Sequence, residues 1–209
     1  MKTQIYIATS NEKKKTEIEN YIQSFPSLKN AVVFNTIESL GEEIKGKYNP
    51  EENGATFQEN AFIKAKALYD LTHEDVVAED SGLEVFALDY RPGIASARYA
   101  ANDNERIKKL LNEMKDIEEK DRKARFVTCL CYLDKYENPI YFIGKTEGVI
   151  TFEPIGENGF GYDPVFYYES LKKTFAQLTL AEKQSVSHRG KALKLFLSFL
   201  EKTDISLLF

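Results

Sequence analysis

The chain is poor in the residues that build disulfide frameworks and metal clusters: two cysteines and two histidines in 209 residues. Cys129 and Cys131 stand two apart, the spacing of one strand face, with no further Cys/His set to complete a metal site. A disulfide framework is excluded, and reduced sheet thiols are expected. Basic residues are not in excess either. Lys+Arg total 28 against 33 Asp+Glu, a formal net charge of -5. That removes the footprint of a nucleic-acid binder. A bound polyanion would need local basic groups and a divalent cation instead. No stretch reaches the ~18 apolar residues of a membrane span. The opening "MKTQIYIATSN" lacks the apolar core of a secretory signal, so no membrane association and a reducing cytoplasm are expected. The Walker loop and the G-x-G-x-x-G dinucleotide fingerprint are also missing.

What is present is a chain that is 43% hydrophobic, enough for one sizeable domain or two small lobes sharing a sheet. Thr3–Thr9 reads as a strand. A helix follows over residues 11–25, with Ile18, Tyr21, Ile22 and Phe25 on one face and Pro26 as its stop. "AVVFN" is a second strand, and residues 36–54 read as one long polar loop. Thr56-x-x-Glu59 is a capping-box pattern that opens a helix over "TFQENAFIKAKALYDL". Val76–Ala78 reads as a short strand that delivers Glu79, Asp80 and Ser81 to a turn, with Leu83–Phe86 as a possible second strand. "DYRPGIASARYA" reads as a loop and "NDNERIKKLLNEMKDI" as a helix. "ARFVTCLCYLD" and "NPIYFIGKTEGVITFE" read as long antiparallel strands. A Gly-rich loop and a final amphipathic helix complete the chain. Early βα units and later hairpins predict an α/β fold with a mixed sheet.

Four stretches carry candidate chemistry. In "IATSNEKKK" a strand ends and a helix begins, and free N–H groups at a helix start favour anions. Lys13 and Lys14 oppose the helix dipole there unless an anion is present; an ordinary capped helix with solvated lysines is the alternative. The second stretch is the carboxylate set Glu52, Glu59, Glu79 and Asp80. Mg²⁺ takes hard oxygen ligands, often one or two carboxylates plus phosphate oxygens. Asp80 suits that role and Glu52 has no visible structural duty, whereas Glu59 is accounted for by capping and Glu79 points to the other face of the strand. The third is "GENGFGYDP". Phe160 between two glycines is a flat apolar group that a nucleobase could stack on, or else a core phenylalanine in a tight strand-entry loop. Asp163 before Pro164 is held extended. The fourth is "SHRGKALKLFLSFL", with Ser187 as N-cap, His188 and Arg189 as donors in the first turn, and Ala192, Leu193, Leu195, Phe196 and Phe199 on the buried side; surface charges on a terminal helix are the alternative for the two donors. A nucleotide with phosphates, metal and base would use all four.

These segments together resemble the inosine triphosphate pyrophosphatase family. The matching stretches, in order, are "ATSNEKK", "ENGATFQENAFIKAKAL", "VAEDSGLEV", "PGIASARYA", "ENGFGYDPVF", "TFAQL" and "AEKQSVSHRGKAL". The resemblance implies a single two-lobed α/β domain over residues 1–209, built around a long mixed β-sheet with a central substrate cleft, and a homodimer. It implies Mg²⁺-dependent cleavage of ITP, dITP and XTP to monophosphate and pyrophosphate. It implies that Thr9, Ser10, Asn11, Glu12, Lys13 and Lys14 hold phosphate, with Lys64. Glu52 and Asp80 would hold the metal, Asp80 would be catalytic, and Ser81 would touch substrate. Phe160, Gly161, Tyr162 and Asp163 would hold base and sugar, and Lys183, His188 and Arg189 would complete the base pocket. The chain departs from the family pattern at Ser10, where Gly is common, at Ile155, where Arg is frequent, and at Glu79, where Asp is frequent. A pyrophosphatase of similar fold acting on other modified nucleotides, or a nucleotide-binding regulator without turnover, are the alternatives.

Overall fold

A computed structural model of the chain describes residues 2–9 and 12–202. Ser10 and Asn11, and the side chains of Glu12 and Lys13, lie outside the described residues, and so does their expected phosphate contact. The strands are β1 (Thr3–Ala8), β2 (Val32–Thr36), β3 (Asp75–Val85), β4 (Lys123–Leu133), β5 (Pro139–Ile150), β6 (Phe166–Tyr168) and β7 (Lys173–Thr174). The helices are α1 (Glu12–Gln23), α2 (Glu42–Lys47), α3 (Phe57–Thr72), α4 (Asp103–Glu113), α5 (Leu180–Val186) and α6 (His188–Lys202). The sheet has the order β2-β1-β3-β4-β5-β6-β7. β1 is parallel to β2 and β3, while β6 is antiparallel to β5 and β7, so the sheet is mixed as expected.

The residues fall into two compact units. Of the described residues, the first comprises those up to 80, 129–143 and those from 192 on; the second comprises 81–128 and 144–191. The core of the first packs Ile5, Ile7 and Val77 with Leu130 and Tyr132, covered by Ile18 of α1 and by Leu193, Phe196 and Leu200 of α6. Parallel neighbours need a crossover, and α1 and α3 supply them. The core of the second is aromatic: Phe126 lies 4.6 Å from Phe166, which lies 4.8 Å from Phe175. Arg122, 1% exposed, hydrogen-bonds to carbonyls and lies over the Phe152 ring at 4.2 Å: Nε donates to Ile150 O at 2.8 Å, Nη1 to Met114 O at 2.8 Å and Nη2 to Thr151 O at 2.9 Å.

Three expectations change. Residues 75–85 form one continuous strand rather than two strands around a turn. β1 pairs β3 only as far as Ala78, and beyond it the strand runs on beside its other neighbour, β4, so a turn there would cost backbone pairing on that side. Residues 36–54 are not all loop: a 3-10 turn spans Ile37–Ser39, and α2 follows. α2 buries nothing, but Glu42 and Glu43 open it and Lys45 and Lys47 close it, an order that complements the helix dipole. On α6, Leu195 is 52% exposed, off the face shared by Ala192, Leu193 and Phe196. His188 and Arg189, in contrast, are 4% and 3% exposed, which removes the alternative that they are surface charges. Cys129 and Cys131 are free and buried, and burial pushes their thiol pKa values up to about 11 and about 12.

Candidate active site

Alternation along β3 sends Glu79 and Asp80 to different helices. Glu79 pairs with Lys14 of α1 at 3.0 Å. This ion pair offsets what a lysine in a first helical turn would otherwise cost. Asp80 is 7% exposed. Its Oδ1 accepts from Lys64 Nζ at 2.8 Å and its Oδ2 from Asn60 Nδ2 at 3.4 Å. Asn60 and Lys64 are four apart on α3 and so share one helix face. Lys64 Nζ also reaches Glu52 Oε2 at 3.0 Å. The structure thus brings Glu52, Lys64 and Asp80 together.

The loop before α3 is fixed by local chemistry. Thr56 Oγ1 accepts the Glu59 N–H at 3.1 Å, which is half of the expected capping box. The other half is shifted by one residue, because Glu59 Oε2 accepts from Ala55 N at 2.7 Å. Asn60 Oδ1 accepts the Gly54 N–H at 2.8 Å. A Cβ on Gly54 would fall 2.7 Å from the Glu59 Cβ, so only glycine allows this approach. Burial pushes the Asp80 pKa above the usual carboxylate range, against the pull of Lys64. Burial alone would lower the Lys64 ammonium; Asp80 and then Glu52 reverse this and raise it. Among the described residues no group of three or more His, Cys, Asp or Glu could hold a metal ion. Two hard carboxylates around one cation fit a different kind of site: an ion that keeps its waters and takes further oxygens from a phosphate.

The second cluster lies on the Gly-rich loop and the α5–α6 junction. Gly159 and Gly161 have φ of +78° and +62°. The Asp163 carboxylate fills the space over Gly159, where a Cβ would sit 2.1 Å from Oδ2. That oxygen accepts the Phe160 N–H at 2.8 Å and the Lys183 ammonium at 2.7 Å. Lys183 Nζ lies 4.7 Å from the Phe160 ring centroid, and the Arg189 guanidinium 5.6 Å. Phe160 is half-buried and outside the aromatic core, which disfavours the core-phenylalanine alternative. Arg189 Nη2 donates to Ser81 Oγ at 3.4 Å. His188 stacks on Phe126, with centroids 4.6 Å apart and planes 13° apart. Lys183 follows a capping box in which Thr179 and Glu182 satisfy each other's N–H groups. Ser187 Oγ accepts the Gly190 N–H at 3.0 Å, the N-cap bond expected of it, and a Cβ on Gly190 would fall 1.9 Å from Gln184 O.

The structure thus gathers Phe160, Asp163, Lys183, Arg189 and Ser81. It uses Tyr162 differently from expectation: the ring is 4% exposed in the aromatic core and its hydroxyl donates to Ser96 O at 3.0 Å. Thr9 follows directly on β1, its N–H donating to Ile7 O at 3.1 Å. Sequence reasoning missed Asp103, whose Oδ2 accepts the Gly161 N–H at 2.8 Å. Directly after the N-cap Asn102, an aspartate reads only as a complement to the helix dipole, so the sequence held no signal for that contact.

Residues 5–199 match the model of the Ham1 family. The chain belongs to the Ham1 family. A Ham1-family structure from Staphylococcus aureus, described as the Ham1 protein, is 39% identical with a TM-score of 0.83 and covers 95% of this chain and 98% of its own. A HAM1 protein from Coxiella burnetii is 35% identical with a TM-score of 0.84, covering 96% and 100%. Among curated relatives, a protein of Treponema denticola named dITP/XTP pyrophosphatase is 45% identical over 90% of this chain and 94% of its own length. One of the same name from Dictyoglomus thermophilum is 44% identical over 92% and 93%. The motif resemblance and the α/β fold with a mixed sheet are thereby borne out. Among the described residues, no helix is long and apolar enough to cross a membrane.

Proposed function

We propose that this Ham1-family protein hydrolyses the non-canonical purine nucleoside triphosphates ITP, dITP and XTP to monophosphate and pyrophosphate, clearing them from the nucleotide pool. The observation that carries the reading is the pair of carboxylates, Glu52 and Asp80, gathered on one lysine beside a strand. A mere nucleotide binder has no need to collect negative charge where phosphates go. Glu52 and Asp80 would hold Mg²⁺, which when bound neutralises phosphate charge. Asp80 takes the proton of the attacking water, whose oxygen bonds to the α-phosphorus as the bond to the bridging oxygen breaks and pyrophosphate leaves. Lys14 and Lys64 supply positive charge for the leaving group.

Base selection falls to the second cluster. Arg189 can only donate, so it suits the C6 carbonyl of hypoxanthine and xanthine and is mismatched to the amino group of adenine. Phe160 offers a face for stacking. A cytoplasmic homodimer is the working form we propose. The test is a panel of ITP, dITP, XTP, ATP and dGTP with Mg²⁺, scored for pyrophosphate and orthophosphate. Pyrophosphate from the first three is the expected result; orthophosphate alone would refute the cleavage position.

A further inference from the structure

Lys64 stands where a cation is wanted. Its ammonium touches Asp80 Oδ1 at 2.8 Å and Glu52 Oε2 at 3.0 Å, one positive charge between two negative ones. The other Asp80 oxygen does not depend on it, because Asn60 Nδ2 reaches Oδ2 at 3.4 Å. Asn60 is also tied through Oδ1 to the Gly54 N–H of the loop that carries Glu52. The two carboxylates therefore keep a scaffold of their own if the lysine leaves. Lysine suits departure: it is a point charge on a flexible four-carbon stem, without the fixed fork of arginine.

We propose that Lys64 is a placeholder cation, displaced from Glu52 and Asp80 when a divalent ion binds and freed by that displacement to pair with an oxygen of the triphosphate. The proposal rests on Glu52 and Asp80 being the ion's ligands. Its consequence is a coupling. The ion alone must expel an ammonium and binds weakly. In the presence of triphosphate the expelled ammonium finds new anions, so each ligand strengthens the other by the same factor. The apo protein meanwhile is spared a buried Asp80 carboxylate and a half-buried Glu52 carboxylate with no cation between them.

The experiment is titration calorimetry with MgCl₂ alone on the full chain and on Lys64→Met and Lys64→Gln, alongside thermal melts in chelator and in Mg²⁺. Removing the competitor should tighten Mg²⁺ binding roughly tenfold, the worth of one charge-assisted contact. The metal-free melting temperature should fall, and Mg²⁺ should raise it further in the variants than in the wild type. Unchanged or weaker Mg²⁺ binding in both variants would overturn the proposal. Glu52→Gln and Asp80→Asn separate the two ideas. If both weaken Mg²⁺ binding while the Lys64 variants fail to tighten it, the placeholder alone is wrong. If neither affects Mg²⁺ binding, the cation site and the placeholder fall together.

Discussion

The two units each bury a lysine–aspartate pair, and the pairs have opposite surroundings. In the first, one cation is shared by two anions: Lys64 serves Asp80 and Glu52. In the second, one anion is shared by two donors: Asp163 Oδ2 takes the Lys183 ammonium and the Phe160 N–H. A lysine outnumbered by carboxylates marks a place that a further cation can enter. A carboxylate with a backbone N–H and an ammonium is satisfied, and its work is to hold a loop. On the function proposed above, the same ion pair serves chemistry in one place and positioning in the other, and the local balance of charge is what distinguishes them.

Substitutions can break this contrast. The largest effect should come from Asp80→Asn, which keeps the shape and removes the charge. Pyrophosphate release should fall about a thousandfold, within the range of a lost general base, with the melting temperature close to wild type. A variant within a few-fold of wild-type activity would remove Asp80 from the mechanism. Asp163→Ala should do the reverse and act on the fold. It leaves the Lys183 ammonium buried without its carboxylate, a loss of about 3–5 kcal/mol measurable by denaturant unfolding. Equal losses of stability in the two variants would erase the distinction.

Phe160→Ala sharpens the second region alone. The ring is half-buried, so the fold should survive, while the Michaelis constant for ITP rises by the ~1–3 kcal/mol of one base–aromatic stack. A large drop in melting temperature with an unchanged constant would make it a core residue instead. Arg189→Gln can donate and accept, so the ITP/ATP efficiency ratio should narrow by about 1.5 kcal/mol; an equal fall on both substrates would assign Arg189 to uniform binding. The smallest effect is pH-dependent. The Glu182 carboxylate is lowered to about 2 from 4.5, first by the Thr179 N–H and then by Lys173. A group depressed on folding stabilises above its unfolded value and loses that contribution as pH falls through its folded one. Glu182→Gln should flatten the slope of stability between those two pH values, read by melts across that range.

The sequence by itself determined the elements and most of the candidate residues. Apolar spacing marked α1 and, Leu195 apart, the core face of α6, while Thr56 and Ser187 announced the starts of α3 and α6. The order of "ENGATFQENAFIKAKAL", "VAEDSGLEV" and "AEKQSVSHRGKAL" was enough to point to the family. Local chemistry is written locally, so one chain suffices to read it. Tertiary structure decided what depends on neighbours in space. The turn expected after Ala78 vanished because β3 runs on beside β4 after its pairing with β1 has ended. Tyr162 went to the core and Asp103 to the Gly161 N–H, since each partner comes from a distant segment. That Lys64 answers two carboxylates, 12 and 16 residues away in opposite directions along the chain, could be seen only once α3 was laid beside β3. Ion pairing depends on distance through space, and sequence spacing fixes that distance only within a single helix or strand.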